Sequence, residues 1–173
     1  NIINLNPELI ISYGCSIIKS RLLDQFSKKF INIHLGLSPY YRGSGTNFWP
    51  FVNNELSLIG TTFMYINSGI DTGDIIHQIR ARIFQHDNIH TIGNRLIKDS
   101  VIECSKIIIN HDKIQDAEPY IKYSKEKVYK RKDFNEESIR EANKDLKNKI
   151  KTYIDNKTNL DLKYPIIELE LKL

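Results

Sequence analysis

Two short apolar runs with an amphipathic stretch between them set the strongest limit on the fold. "ELIISYG", Glu8 to Gly14, is rich in β-branched residues and stops at a glycine, and "KFINIH" runs straight into a loop. Both read as buried strands. Between them, Ser16 to Phe26 carries Ile17, Ile18, Leu22, Leu23 and Phe26 at helical spacing, which predicts a helix. Strand, helix and strand within about 30 residues make a βαβ unit and a parallel pair. An α/β domain follows, and 173 residues suffice for one sizeable core.

Further along, "TNFWPFVNNE" reads as a helix, with Pro50 tolerable only in its first turn. "SLIGTTFMYIN" and "DIIHQIRARI" are strand-like runs separated by "SGIDTG", so two antiparallel strands with a protruding, Gly-flanked loop are expected. The alternation of Ile75, His77, Ile79 and Ala81 with Ile76, Gln78 and Arg80 suggests a sheet with one face less buried. Asp87 or Asn88 can cap a helix to Asn110 whose apolar side holds Ile89, Ile92, Leu96, Ile97, Val101 and Ile108. Composition then shifts to Lys, Asp, Glu and Asn. "YIKYSKEKVYKRKDF" reads as a surface excursion, and Asn135 starts a helix to Ile154 with Ile139, Ala142, Leu146, Ile150 and Tyr153 in one stripe. The expected division is a catalytic domain over 1–112 and a charged, mainly helical extension over 113–173, docked on it. "YPIIELELKL" alternates as an edge strand or a partner-binding segment would.

Net charge is +4, too small to argue for nucleic acid as a partner. Cys15 and Cys104 stand far apart with no CxxC, which excludes a disulfide scaffold and points to a reducing cytoplasm, with both thiols read as small buried apolar groups. No apolar run approaches the ~20 residues of a membrane span, and the N-terminus has no signal-peptide pattern.

The chemistry-bearing stretch is "FINIHLGLSPYYRGSG". Residues i and i+2 of a strand point the same way, so Asn32 and His34 project together at the strand's carboxyl end, where open α/β sheets bind ligands. The Pro- and Gly-rich loop after them can form a pocket wall. Two readings stand side by side: an ordinary hydrogen-bonded polar pair, or a reaction site.

"NIHLGLSPYYRG" followed downstream by "GIDTGDII" resembles the folate-dependent formyltransferases, a family that includes the glycinamide ribonucleotide, methionyl-tRNA and sugar N-formyltransferases. The resemblance runs over residues 7 to 110. It implies a Rossmann-like formyltransferase fold with a mixed, mostly parallel sheet and flanking helices. It also implies that Asn1 falls partway into the domain, so that the N-terminal part is absent. An exposed sheet edge of that kind invites a second copy, and a homodimer is among the expected assemblies. Carried over by position, the catalytic trio is Asn32, His34 and Asp71. Ser16, Ile17 and Ile18 lie near the folate ring, with Asn67, Ser68, Gly69 and Ile70 on its other side. Asp74 matches a more structural position. Pro39, Arg42 and Gly43 fall to the substrate side, with Arg42 set to meet an anionic acceptor or the folate's glutamate tail. The sequence departs from the family at "LGLS", where Leu37 and Ser38 replace the usual Leu-Leu before Pro39.

The co-substrate so implied is 10-formyltetrahydrofolate, with no metal. Attack of an amine on the formyl carbon creates an oxyanion, for which Asn32 and His34 are donors, while Asp71 favours protonated His34 and helps remove the amine's proton. The favoured acceptor is an amino-sugar nucleotide. Methionyl-tRNA, glycinamide ribonucleotide, hydrolysis of the formyl-folate and a non-catalytic fragment are the alternatives. Upstream sequence is what separates these, because the acceptor site in the family is built largely by the first half of the domain. His86 and His90 in "HDNIH", and Asp74 with His77, mimic metal-ligand spacings without the rest of the pattern, and "RGSG" lacks a full phosphate loop.

Overall fold

The parallel pair forms as its pattern predicts. In the computed structural model, which describes residues 1–18, 20–114 and 117–169, a short helix α1 (Ile2–Leu5) leads into β1 (Ile10–Tyr13), and β1 pairs in parallel with β2 (Phe30–His34), Ser12 opposite Asn32. The helix between them, α2 (Ser20–Gln25), is shorter than the expected Ser16–Phe26. Gly14 turns the chain at φ 62°, and Cys15 to Ile18 take no regular structure. Leu23 and Phe26 bury against Phe30, whereas Ile17 is 82% exposed, so a turn there would have no surface to pack on.

After β2 come β3 (Tyr41–Gly43), α3 (Trp49–Val52), β4 (Gly60–Tyr65) and β5 (Ile75–Arg80). The main sheet has the order β1-β2-β4-β5, with β4 antiparallel to both of its neighbours. The sheet is therefore mixed but not mostly parallel: among the described residues one of its three pairings is parallel. The connections explain this. The helix expected over "TNFWPFVNNE" is reduced to α3, with Pro50 in its first turn and Asn54 left-handed beyond it, and its four residues span only about 6 Å, too little to carry the chain back for a parallel return. The turn into β5 brings Gly73 so close to β4 that a Cβ would lie 1.5 Å from the Tyr65 carbonyl oxygen. Nor does β5 keep a less buried face over its first half. Ile75 to Gln78 are all buried, because His77 stacks on Phe63 and Gln78 Nε2 donates to the Ser38 carbonyl at 2.7 Å.

Helix α4 (Ile89–Ile109) starts at Asn88, whose side chain accepts from Thr91 N at 2.9 Å while Thr91 Oγ1 accepts from Asn88 N. Its buried line is Ile92, Leu96, Ser100, Cys104 and Ile107. Ile97, Val101 and Ile108, expected on that side, are 38%, 62% and 44% exposed, since they sit next to the line of contact and not on it. Cys104 is buried as expected, but Cys15 is exposed, beside the irregular turn after β1.

The segment expected as a surface excursion is partly structural. It carries β6 (Lys127–Tyr129), which pairs in parallel with β3, Gly43 opposite Tyr129. The Tyr129 ring stacks on Trp49 with centroids 4.1 Å apart, and Asn53 Nδ2 donates to the hydroxyls of Tyr129 and Tyr41 at 2.7 and 2.8 Å. Lys127 is ion-paired with Glu55. Few apolar residues mark this segment, because its anchors are tyrosine rings with paired hydroxyls.

The single helix expected after Asn135 is two, α5 (Glu136–Asn143) and α6 (Leu146–Lys163), with Asp145 left-handed at φ 52° between them. The break lets Ala142 from α5 and Ile150 and Tyr153 from α6 enter one cluster with Phe51, Leu56, Ile92 and Leu96. Lys149 closes the corner, its Nζ donating to the Glu141 and Phe51 carbonyls at 2.8 and 3.0 Å. Of the expected edge strand, residues 165–169 run beside β5, with Gln78 N donating to the Ile167 carbonyl at 2.6 Å but no ladder formed; positions 170–173 lie outside the described residues. Among the described residues no helix is long and apolar enough to cross a membrane.

Candidate active site

Asn32 and His34 leave the end of β2 on the same side, as strand geometry requires. They face Asp71, which the β4–β5 loop delivers from the opposite side. Asn32 Nδ2 and His34 Nδ1 each stand 3.4 Å from Asp71 Oδ1. The other carboxylate oxygen accepts from the Gly43 N–H at 2.8 Å. Asn32 and His34 thus share one carboxylate oxygen, brought to them from a distant part of the chain.

Neighbouring groups fix how each side chain points. His34 Nε2 lies 3.0 Å from the Tyr41 carbonyl oxygen, which can only accept, so Nε2 carries a proton and Nδ1 is the nitrogen turned to Asp71. Asn32 Oδ1 accepts from the Ser12 hydroxyl at 3.0 Å, which leaves the amide NH2 facing Asp71. Both His34 and Ser12 are buried, so little water competes for these bonds. Asp71 itself sits in the left-handed region at φ 51°, a costly place for a residue with a side chain, and it is held there in part by Ser38 Oγ donating to its carbonyl at 3.2 Å. Ser38 is held in turn: its N–H donates to Thr62 Oγ1 at 3.0 Å and its carbonyl accepts from Gln78.

The trio opens onto a groove of about 520 Å³. Ser16, Ile17 and Ile18 line one side and Asn67, Ser68, Gly69 and Ile70 another, and Gly43 lines it as well. Pro39 and Arg42 do not. Arg42 turns away to Glu126, Tyr120 and the Ile70 carbonyl, with Nη1 2.8 Å from Glu126 Oε2. Asp74 is exposed outside the groove. Cys15 lines the groove, its Sγ 3.7 Å from the Tyr13 carbonyl. His86 and His90 are exposed, and among the described residues no group of three or more His, Cys, Asp or Glu is placed to hold a metal ion.

Reasoning on the sequence missed Ser12, Ser38, Tyr120, Thr62, Gln78 and Glu126. Ser12 left one faint signal: in a parallel β1–β2 pair in register it falls directly opposite Asn32. The others meet the site only through tertiary contacts.

Exposed Ile17 and Ile70 give the groove apolar walls, main chain at both turns offers polar groups, and the volume falls within the usual range for small-ligand sites.

Comparison with known proteins gives the family. The family profile described as "Formyl transferase" matches residues 1–108. The methionyl-tRNA formyltransferase of Thermodesulfovibrio yellowstonii is 35% identical over 114 residues, which is 65% of this chain and 35% of that protein. The chain spans about a third of the length of the curated relatives it matches. The formyltransferase PseJ from Anoxybacillus kamchatkensis, solved with UDP-4,6-dideoxy-4-formamido-L-AltNAc and tetrahydrofolate, superposes with a TM-score of 0.68 at 30% identity, over 77% of this chain and 69% of that one. The N-formyltransferase from Helicobacter canadensis, solved with folinic acid and dTDP-3-aminofucose, gives 0.59 at 26% identity over 69% and 44%.

Proposed function

This chain belongs to the formyl transferase family, and on that premise we propose that it moves a formyl group from 10-formyltetrahydrofolate to the primary amine of an amino-sugar nucleotide. The observation that carries the reading is the convergence of Asn32, His34 and Asp71 at the wall of one groove.

The amine nitrogen attacks the formyl carbon, and the carbonyl electron pair moves onto oxygen. Asn32 Nδ2 and protonated His34, through Nδ1, are the donors for that oxyanion. They are fixed before the reaction starts, which is what makes such donors effective; losing one costs about 2.7–4 kcal/mol of barrier. Asp71 pairs with protonated His34 and takes the amine's proton, directly or through water. Collapse of the intermediate breaks the bond to the folate nitrogen, which leaves with a proton, and the formamide is the product. The Ser16–Ile18 and Asn67–Ile70 turns hold the folate ring, Gly43 keeps Asp71 aligned, and the extension that follows the catalytic domain backs β3 through β6.

The amino-sugar acceptor is supported by the sugar nucleotides bound to PseJ and to the Helicobacter canadensis enzyme, and by the 69% of PseJ that aligns. A second reading, methionyl-tRNA as acceptor, is favoured by the sequence relatives, though these align over only about a third of their length. The thiols fit a reducing cytoplasm as the place of action.

The test offers 10-formyltetrahydrofolate with a UDP- or dTDP-amino sugar, methionyl-tRNA, glycinamide ribonucleotide or no amine, and follows tetrahydrofolate release and the mass of the product. Formylated sugar is the expected product. Formylated methionyl-tRNA selects the second reading, and formate without amine makes the protein a hydrolase. Asn32→Ala, His34→Ala and Asp71→Asn are each expected to lower turnover by about two decades or more while the circular dichroism spectrum holds. Near-normal rates in all three overturn the assignment.

A further inference from the structure

Glu126 and Tyr120 lie far along the chain from the trio, yet one residue separates them from it. Arg42 Nη1 donates to Glu126 Oε2 at 2.8 Å and to the Tyr120 hydroxyl at 2.9 Å. Tyr120 donates its own proton to the same carboxylate, and its ring faces the guanidinium with 5.3 Å between centroid and carbon. On its other edge, Arg42 Nε donates to the Ile70 carbonyl at 2.9 Å. The next residue, Gly43, gives its N–H to Asp71 Oδ2. The guanidinium therefore grips the backbone of the loop just before Asp71, and the amide beside it grips the Asp71 carboxylate.

The loop needs this hold. Asn67 to Ile70 are exposed, and Asp71 occupies the left-handed region. The clamp is well placed to supply it. The Arg42 and Glu126 side chains are only 13% and 17% exposed, so their attraction is weakly screened. Hydrogen bonding from Tyr120, and then from Arg42, holds the Glu126 carboxyl below its ordinary range and keeps it ionised. Pairing of β3 with β6 fixes the strand on which Arg42 and Gly43 sit: Lys127 N donates to the Tyr40 carbonyl at 2.9 Å and Ser44 N to the Tyr129 carbonyl at 2.8 Å.

We infer that Glu126 and Tyr120 are positioning residues for formyl transfer, holding the Ile70–Asp71 turn through Arg42 and so keeping Asp71 against Asn32 and His34. The catalytic consequence rests on the formyltransferase reading above; the clamp itself does not.

Two measurements on the full chain keep these apart. Amide hydrogen exchange is compared between wild type, Glu126→Ala, Glu126→Gln, Tyr120→Phe and the exposed neighbour Lys125→Ala. Glu126→Ala is expected to speed exchange across residues 67–73 by roughly fivefold or more, with α4 and α6 unchanged, because only the local opening is affected. Steady-state formyl transfer is then expected to show kcat lowered about tenfold, since a small misplacement of a reacting group is costly. KM for the formyl-folate rises as well, because Asn67–Ile70 hold the folate ring in that reading, Glu126→Gln, which keeps an oxygen for Arg42, recovers most of both losses, and Lys125→Ala matches wild type in both assays. Unchanged exchange over 67–73 in both Glu126→Ala and Tyr120→Phe overturns the clamp. Faster exchange with unchanged kcat overturns its catalytic role. A wild-type protein that transfers no formyl group removes the reaction reading, and with it the catalytic half of the inference, while the exchange data still decide the clamp.

Discussion

Gly36 decides where the His34 ring can stand. A Cβ at this position would lie 2.5 Å from His34 Nε2 and 2.7 Å from Thr46 Oγ1, and Thr46 is itself bonded to the Leu35 carbonyl. No relief is available by moving the flexible end of a long side chain, so the imidazole would have to leave the Tyr41 carbonyl. Gly36→Ala is therefore expected to lower kcat by about tenfold to a hundredfold, through misplacement of a group that must be aligned before the reaction. The check is kcat beside the melting temperature: a variant with wild-type kcat removes the argument. The family-atypical "LGLS" has a local role at its last residue. Ser38, in that stretch, bonds both the Asp71 carbonyl and Thr62, so its hydroxyl supports the turn that presents the carboxylate. The shared side of Asn32 and His34 was legible in the sequence because a strand's period of two is rigid geometry; Asp71 was joined to them only through the family resemblance of its glycine-flanked loop. The supports were not, since a serine across a sheet or a glutamate 84 positions beyond Arg42 leaves no local pattern.

Helix α4 is fastened at its start by a charge pair as well as by its capping box. Arg95 donates to both oxygens of Asp87, at 2.6 and 2.8 Å, and also to the Arg82 carbonyl at the exit of β5. The Arg95 hydrogen bonds hold the Asp87 pKa down at about 2, against burial, which opposes the shift. A carboxylate so depressed adds stability that is complete above its unfolded value near 3.8 and is lost as the pH falls through about 2. Asp87→Asn is expected to cost about 1–2 kcal/mol at pH 6, with the difference from wild type closing as the pH is lowered towards 2 in urea titrations. A gap that stays constant with pH would mean that the pair contributes nothing through charge. This helix and the β4–β5 hairpin were predictable from sequence because their length gives the periodicity room to speak. The Ser16–Phe26 helix and the single helix after Asn135 failed for a shared reason. Spacing shows which residues can lie on one face, but not whether a surface waits for them, as Ile17 demonstrates, nor where a left-handed residue such as Asp145 turns the axis.

The last of the described residues, 167 to 169, hold the sheet from outside. Leu169 N donates to His77 Nδ1 at 3.0 Å, so the other ring nitrogen, Nε2, carries the proton; it is buried with Glu103 Oε2 3.7 Å away, beyond hydrogen-bond reach. Burial lowers the His77 pKa, while Glu103 and Glu168 act in the opposite direction and Lys106 with it. The neutral form is the folded form, and protonating Nδ1 would displace the Leu169 amide. Stability from this contact is complete above the unfolded imidazole value and declines as the pH falls towards the depressed one. Urea midpoints are expected to drop for wild type between about pH 7 and pH 5, and the gap to His77→Gln to narrow over the same range. Equal slopes for the two proteins would remove His77 as the cause. The same long reach governs the site. Residues up to Asp71 supply every group proposed to touch substrate, but Gly43 is paired with Tyr129, and Arg42 with Glu126. During synthesis the trio can emerge from the ribosome long before the strand that seats its third member. On the proposed function, the site is therefore completed late, only once Tyr129 has emerged and β6 has paired with β3.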